Sequence, residues 1–457
     1  MKKIISKNPG ENFDIIGEVA VSTNDEIVEK VNTANQVRHR WKSTDISKRI
    51  KTVNLICDEL KSKSEEIAHL MTKETGKPIT FSNNEIIFTL KDMKWIVNNI
   101  ENILKEETTY SDSSSTHKIV YEPVGSVIVI APGNMPFGTS IYGILTNILV
   151  GNTVVFKMSE ECPLLGKKLE EVISKHLPLG VFSEVYGDSE EGKKLVEQKA
   201  DLICFTGSTN AGKEIYEKAS DKLTKVILEM GGSNPCVVFE DCNIKKAAET
   251  IYRCRFQNTG QMCDAVKRLI VHESVFENLL EELKKNILKN KLGYPSEPST
   301  DVGSLASEKQ LKVINNQFDD AIMKGAHVII GGKQPSNLKG AYFEPTILTN
   351  ISTDMKVWKE EVFGPILPVI SFKNLGEALK LANDSDYGLG ARIITNKDKT
   401  VDYFIKNLDV SNIEINHSNR WIPNNPFGGF KKSGIGVNFG RDGIRSLCRK
   451  KVISLNT

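Results

Sequence analysis

Apolar residues recur every three or four positions along residues 46–70, where Ile46, Ile50, Val53, Ile56 and Leu60 are separated mostly by polar residues. That spacing predicts a helix with one apolar face, and similar spacing predicts helices over 24–40 and 84–104. The pattern then changes. Residues 106–116, EETTYSDSSST, are polar and rich in Ser and Thr, and read as a loop or linker, followed by a short strand at 117–122, HKIVYE. From residue 125 apolar runs at 125–131, 152–158, 181–186, 201–206 and 225–230 alternate with helix-like segments. Several runs are rich in Val and Ile, as strands covered on both faces require. Repeated βα units imply a parallel sheet with right-handed crossovers. A second alternation starts at residue 235 and runs through 268–272, 327–332, 366–372 and 388–395. The pattern predicts an α/β chain with two α/β domains and shows neither an internal repeat nor a low-complexity tract.

Length and composition narrow the class. At 457 residues the chain is long enough for three domains or two large ones, without disulfides or metals to support a core. Lys and Arg number 60 against 58 Asp and Glu, a net charge of +2, so there is no bulk electrostatic reason to bind nucleic acid or an anionic membrane. No apolar run approaches the roughly 18–20 residues needed to span a bilayer. The first residues, MKKIISKNPGENFD, carry no apolar stretch of the secretory type. The expectation is a cytoplasmic enzyme. The eight cysteines include no C-x-x-C pair and the seven histidines no H-E-x-x-H, so a metal site is not expected. Most of the thiols read as small buried hydrophobes.

Three glycine loops offer places for a phosphate. Residues 207–213, GSTNAGK, match G-x-x-x-x-G-K between a strand and a helix. The next residue is Glu214, where a nucleotide triphosphatase needs Ser or Thr for Mg²⁺, so a triphosphatase is disfavoured. The loop still opens a helix and can receive a pyrophosphate on its N–H groups, although a plain strand-to-helix turn fits the same residues. Gly434, Gly436 and Gly440 loosely resemble a dinucleotide fingerprint but follow Lys431, Lys432 and Ser433 rather than a buried strand, so they read as a turn. Gly231-Gly232 follows the strand ending at Glu229 and brings backbone close to whatever that carboxylate serves.

Three side chains carry candidate chemistry. Cys263 lies in the polar stretch Gln257 to Met262, unlike Cys204 or Cys236 inside strands, and a thiol on a Gly-bearing turn can be accessible to an electrophile. Glu229 ends an apolar strand, where partial burial would raise its pKa and suit a general base. Asn134 sits between Pro132 and Pro136 after the 125–131 strand, and a fixed amide can donate to a developing oxyanion. Taken alone, each has a bland reading: a structural thiol, a salt-bridged Glu, a turn-forming Asn.

Together, and in this order, these residues resemble the NAD(P)-dependent aldehyde dehydrogenase superfamily over nearly the whole chain. The resemblance rests on Asn8-Pro9-Gly10-Glu11, Glu74-Thr75-Gly76-Lys77-Pro78, Pro132-Gly133-Asn134-Met135-Pro136, Gly151-Asn152-Thr153 and Lys157-Met158-Ser159-Glu160. It continues through Phe205-Thr206-Gly207-Ser208, Leu228-Glu229-Met230-Gly231-Gly232, Gly260-Gln261-Met262-Cys263, Glu360-Glu361-Val362-Phe363-Gly364-Pro365 and Pro426-Phe427-Gly428-Gly429-Phe430. Gly231-Gly232-Ser233-Asn234-Pro235 and Gln257-Asn258-Thr259-Gly260-Gln261 are most similar to the succinate-semialdehyde dehydrogenase branch. Two positions depart from the family. Gly133 stands where a Trp usually precedes the catalytic Asn, which is expected to widen or reshape the substrate entrance. Val437-Asn438 replaces a frequent Arg-Glu.

The resemblance implies Cys263 as nucleophile, Glu229 as general base and Asn134 as oxyanion donor. It places Lys157 and Glu160 at the adenosine ribose, Gly207 and Ser208 at the pyrophosphate, and Glu361 and Phe363 at the nicotinamide ribose and ring. The implied cofactor is NAD, with NADP possible. It implies a Rossmann-type cofactor domain over about 1–104 and 124–230 and a catalytic domain over about 231–425. A β oligomerisation arm over 105–123 and 426–457 would build a homodimer or homotetramer, with 450–455 as an edge strand. The expected reaction is oxidation of an aldehyde, such as succinate semialdehyde, to the acid. A CoA-acylating or non-phosphorylating sugar-phosphate enzyme is the alternative, and Glu229 disfavours the CoA version. Arg420 could bind a carboxylate or a phosphate of the substrate. A non-catalytic protein on this fold is disfavoured by Cys263, Glu229 and Asn134.

Overall fold

Runs of Val and Ile form the first sheet of a computed structural model that describes residues 2–417 and 421–456. Its parallel strands are Ser126–Ile130, Thr153–Lys157, Phe182–Glu184, Leu202–Thr206 and Lys225–Glu229. Val127, Ile128, Val154, Val155 and Phe156 are fully buried because helices cover both faces. The helix Asn24–Lys42 supplies Ile27, Val31 and Ala34 to one face, and the helices Ile46–Ser62, Ile79–Leu104 and Pro136–Val150 pack on the other.

The chain order in this sheet creates a crevice. From Ser126–Ile130 the chain moves outward through Thr153–Lys157 to Phe182–Glu184. It then returns to the other side of Ser126–Ile130 for Leu202–Thr206 and Lys225–Glu229. Where the direction of winding reverses, the loops at the C-terminal ends of neighbouring strands diverge and leave room for a ligand. Here those loops are the ones carrying Asn134 and Gly207.

The second sheet has seven strands, in the order His327–Ile330, Thr346–Thr349, Ile366–Phe372, Val266–His272, Asn234–Val238, Gly390–Ile394, Asn412–Ile415. Only His327–Ile330 runs antiparallel to its neighbour. The helices Ile244–Phe256 and Phe276–Lys289 cover one face, and Leu375–Asn383 and Asp398–Asn407 the other. A third sheet joins Glu107–Ser111, Ser115–Pro123 and the C-terminal Cys448–Asn456.

Several elements differ from the sequence expectations. The 106–116 segment is not a loop: Glu107–Ser111 pairs with Ser115–Pro123. Thr108, Thr109 and Tyr110 favour a pleated strand, and Asp112 closes the hairpin by accepting from the Ser114 and Ser115 amides at 2.8 Å each. The helix expected over 46–70 is two, Ile46–Ser62 and Ser64–Thr75, separated at Lys63. The N-terminal hairpin of Lys3–Asn8 and Asp14–Ala20 was not expected, because most of its side chains lie partly or wholly exposed and give weak alternation. The tail strand does form and pairs with Ser115–Pro123 along nine residues, leaving its far side as a sheet edge. Among the described residues no helix is long and apolar enough to cross a membrane, and no group of three or more His, Cys, Asp or Glu could hold a metal ion.

Candidate active site

The turn before Cys263 is strained and heavily bonded. After the helix Ile244–Phe256, three successive residues take left-handed backbone: Asn258 at φ 50°, Thr259 at φ 56° and Gly260 at φ 75°. For a side-chain-bearing residue this costs roughly 1–2 kcal/mol. Gly260 is required twice over, since a Cβ there would also stand 2.4 Å from the Gly364 carbonyl oxygen. Neighbouring side chains hold the turn. Asn258 Nδ2 donates to the Asn134 carbonyl at 3.0 Å, and Gln261 Oε1 accepts from the Ala306 amide at 2.9 Å. Asn234 Nδ2 donates to the carbonyls of Cys263 and Ala265 at 2.7 and 2.9 Å. Cys263 is partly exposed, whereas Cys162, Cys204, Cys236, Cys254 and Cys448 are buried. Packing around its sulfur pushes the thiol well above its usual range; Asp264, Glu361 and Glu229 push the same way, and Lys267 opposes them.

The other two predicted catalytic side chains come to this turn from the first sheet. Asn134 Nδ2 donates to the Gln261 carbonyl at 2.8 Å. An amide nitrogen carries two hydrogens, so one remains to donate elsewhere. Glu229 is 5% exposed, and neither of its carboxylate oxygens has a hydrogen-bond partner. Burial alone holds its carboxyl well above the usual carboxylate range. Gly231 and Gly232 carry the chain from Glu229 past the turn and into the strand Asn234–Val238. A Cβ on Gly232 would stand 2.7 Å from the Cys263 carbonyl oxygen, and one on Gly231 would stand 2.2 Å from Glu361 Oε2. Glu361 Oε1 accepts from the Gly232 amide at 3.2 Å. The strand end, the thiol turn and the Glu361 segment therefore meet with no room for side chains at these glycines.

The predicted cofactor residues lie on the same edge of the first sheet or opposite it. Glu229, Gly207, the Asn134 loop and Lys157 follow four adjacent strands, which at the usual spacing span about 14 Å. Gly207 N–H donates to the Glu229 carbonyl at 3.0 Å, and Ser208 caps the helix Thr209–Ser220, its hydroxyl accepting from the Ala211 amide at 3.3 Å. Lys157 is 3% exposed and donates to the Met158 carbonyl at 3.2 Å. Desolvation lowers its pKa, and Glu160, Asp188, Glu184 and Glu191 work in the opposite direction. Glu160 itself is exposed. Glu361, in the segment before the strand Ile366–Phe372, lies against Gly231 and Gly232, and Phe363 follows it two residues later. A glycine cradle, a capped helix start and a buried Lys beside carboxylates fit a dinucleotide.

A Cβ on Gly133 would meet Glu161 Cβ and Ser159 Oγ, both at 3.3 Å. A side chain at Gly133 would therefore start out against Ser159 and Glu161. Arg420 lies outside the described residues. Beside it in sequence, Trp421 packs with Tyr142 and Phe439, ring centroids 4.6–5.2 Å apart, and the Tyr142 hydroxyl donates to Asp92 Oδ2 at 2.8 Å.

Sequence reasoning missed the side chains that hold the site together: Asn234, Asn258, Gln261, Arg255 and Lys267. The last two carried a signal. Each is a cation inside or next to an apolar run, and a charge in such a place is either paired or functional.

Comparison with known proteins identifies the family. The model of the aldehyde dehydrogenase family matches residues 2–453. A peroxisomal aminoaldehyde dehydrogenase of Pisum sativum is 34% identical over 472 residues, covering 100% of this chain and 93% of the relative. A betaine aldehyde dehydrogenase from Staphylococcus aureus, solved with NAD+, superposes with a TM-score of 0.94 at 29% identity, covering 99% of this chain and 91% of that one. An E. coli enzyme described as NADP-dependent superposes with a TM-score of 0.96 at 28% identity, covering 100% and 95%. The chain belongs to the aldehyde dehydrogenase family and is an NAD(P)-dependent oxidoreductase of aldehydes.

Proposed function

We propose that Cys263, Glu229 and Asn134 divide the reaction as nucleophile, general base and oxyanion donor, and that the product is the free carboxylic acid. The observation that carries this reading is the Glu229 carboxylate, buried without a partner and three residues from the glycine that touches the Cys263 carbonyl. The Cys263 thiolate attacks the aldehyde carbonyl carbon and forms a C–S bond. The resulting oxyanion accepts the free N–H of Asn134 and the backbone N–H of Cys263. Bound NAD or NADP supplies the hydride acceptor, and loss of hydride leaves a thioester on Cys263. Glu229 then takes a proton from water as the water oxygen attacks the thioester carbon. The C–S bond breaks, Cys263 leaves as thiolate, and the acid departs. Retention of this base supports hydrolysis over transfer to CoA.

Lys157 and Glu160 hold the adenosine ribose, Gly207 and Ser208 the pyrophosphate, and Glu361 and Phe363 the nicotinamide riboside, with NAD favoured over NADP. The cofactor domain spans about 1–104 and 124–230, the catalytic domain about 231–425, and the arm 105–123 and 426–457. The open edge of Cys448–Asn456, with Val452 and Leu455 exposed, supports assembly of a homodimer or homotetramer. The eight cysteines form no disulfide among the described residues, which suits the cytoplasm.

For the substrate we retain a semialdehyde such as succinate semialdehyde, supported by the Gly231 to Pro235 and Gln257 to Gln261 motifs. A second reading is favoured by Asp92, a half-buried carboxylate bonded to Tyr142 beside Trp421 and Phe439. That setting suits a cationic aldehyde, as do the names of the pea and S. aureus relatives. A panel of ω-carboxy, ω-amino, quaternary-ammonium and plain aldehydes, read as reduced-cofactor absorbance with NAD and NADP, tests both. A kcat/KM for a cationic aldehyde at least tenfold above that for succinate semialdehyde would replace the first reading with the second.

A further inference from the structure

We propose that Lys267 is a positioning residue that ties the segment carrying Glu361 and Phe363 to the turn carrying Cys263, so that one buried cation sets both cofactor contact and thiol reactivity. The inference rests on the roles proposed above for Glu361 and Cys263.

Lys267 sits in the strand Val266–His272, four residues after Cys263, with its side chain fully buried. Its Nζ donates to the Val362 carbonyl at 3.0 Å and the Gly260 carbonyl at 3.4 Å. It stands 3.8 Å from Glu361 Oε1 and 4.8 Å from the centre of the Phe363 ring. One ammonium thus touches three consecutive residues of the cofactor segment and the last residue of the strained turn. A lysine buried only for packing would have no reason to place its charge at that junction.

The charges around it make the arrangement responsive. Arg255, from the helix Ile244–Phe256, donates to the carbonyls of Val362, Gly364 and Val266. Glu361 faces Lys267 from the cofactor segment, and Cys263 and Asp264 face it from the turn. Burial is the largest influence on Lys267 and brings its pKa down to about 7; Arg255 pushes the same way, while Glu361, Cys263 and Asp264 oppose. With Lys267 protonated, Glu361 is held ionised against the Gly232 amide, and the Cys263 thiolate gains a compensating charge. With Lys267 neutral, both supports are lost. The cation therefore lowers the cost of forming the thiolate and fixes the carboxylate that would meet the ribose hydroxyls.

The test uses the whole enzyme without cofactor or substrate. The rate of iodoacetamide alkylation at Cys263, located by mass spectrometry, is followed from pH 6 to 10 in wild type, Lys267→Met and Lys267→Arg. NAD binding is measured separately by quenching of protein fluorescence. Loss of a neighbouring positive charge should raise the alkylation midpoint of Lys267→Met by about one pH unit and weaken NAD binding about tenfold. Lys267→Arg, charged throughout, should restore NAD binding to within about threefold and remove any inflection near pH 7. An unchanged midpoint and unchanged NAD affinity in Lys267→Met overturn the proposal. If that variant does not fold, a Lys267→Arg profile that keeps the wild-type inflection overturns it. Failure of the underlying reading would show differently, as full turnover in Cys263→Ala.

Discussion

Replacing Glu229 by Gln removes one acidic oxygen from a site where nothing else bonds it, so the variant isolates proton transfer from packing. Both oxygens lie without hydrogen-bond partners in a side chain 5% exposed, and the amide is nearly the same size. A positioned general base contributes roughly 10²–10⁴-fold, or about 2.7–5.4 kcal/mol of barrier. That loss should fall on release of the acid and spare thiol attack and hydride transfer. Rapid mixing at saturating aldehyde and NAD should show a burst of reduced cofactor near one equivalent per Cys263, followed by a steady state slowed by those factors. Burial raises the carboxyl pKa, so wild-type acid release should rise with pH as Glu229 ionises, and the variant should lose that dependence. Stability provides a second readout. A carboxyl whose folded pKa is raised contributes stability below its unfolded pKa and loses it as pH rises through the folded one. Glu229→Gln should therefore melt close to wild type near pH 5 and gain relative to it near pH 9. A steady state within threefold of wild type refutes the base assignment. Loss of the burst together with turnover would mean that Glu229 acts earlier, on Cys263 itself.

Three further outcomes follow from named contacts. Cys263→Ala should abolish dehydrogenase turnover, because a methyl group cannot add to a carbonyl, while Cys254→Ala should keep most activity; steady-state rates of both variants decide it. Wild type should prefer NAD, and Glu160→Gln should shift the NAD to NADP ratio of kcat/KM toward NADP. Glu160 is exposed, so a repulsion of about 1 kcal/mol at 4 Å in water applies, or roughly fivefold; an unchanged ratio would show that other residues read the ribose. Gly260→Ala should destabilise the fold by about 2 kcal/mol or more, combining left-handed backbone with a Cβ 2.4 Å from the Gly364 oxygen, and a melting temperature within 1 °C of wild type, on the scale of a few degrees per kcal/mol, would contradict it.

The parallel sheets were legible because their strands are buried on both faces and so appear as short unbroken apolar runs: Ser126–Ile130 and Asn234–Val238 match the runs read from sequence within about two residues. The N-terminal hairpin and Glu107–Ser111 were illegible for the converse reason. Their side chains are mostly exposed, and their stability comes from ladder pairing that leaves no period in hydrophobicity. The break at Lys63 escaped because the apolar spacing continues through it: Leu60 and Ile67 are both buried across two helices.

The site shows the same division more sharply. Cys263, Glu229 and Asn134 each have a bland local reading, and it is the family resemblance that puts them in one reaction. What brings them together is not a property of any one of them. Gly231 and Gly232 are two letters in the sequence, yet the missing Cβ atoms are what allow Glu361 and the Cys263 carbonyl to close on the strand end. Gly133 is bounded in the same way by residues distant in sequence, here Ser159 and Glu161. Lys267 lies just before the apolar run at 268–272 and was not singled out in the sequence. Its meaning depends on Val362 and Gly260, 95 and seven residues away, whose carbonyls it bridges. Candidates for chemistry can thus be named from a family resemblance, whereas residues that hold a site in register are defined by long-range contacts, and a buried charge in an apolar run is the one local sign that such contacts exist.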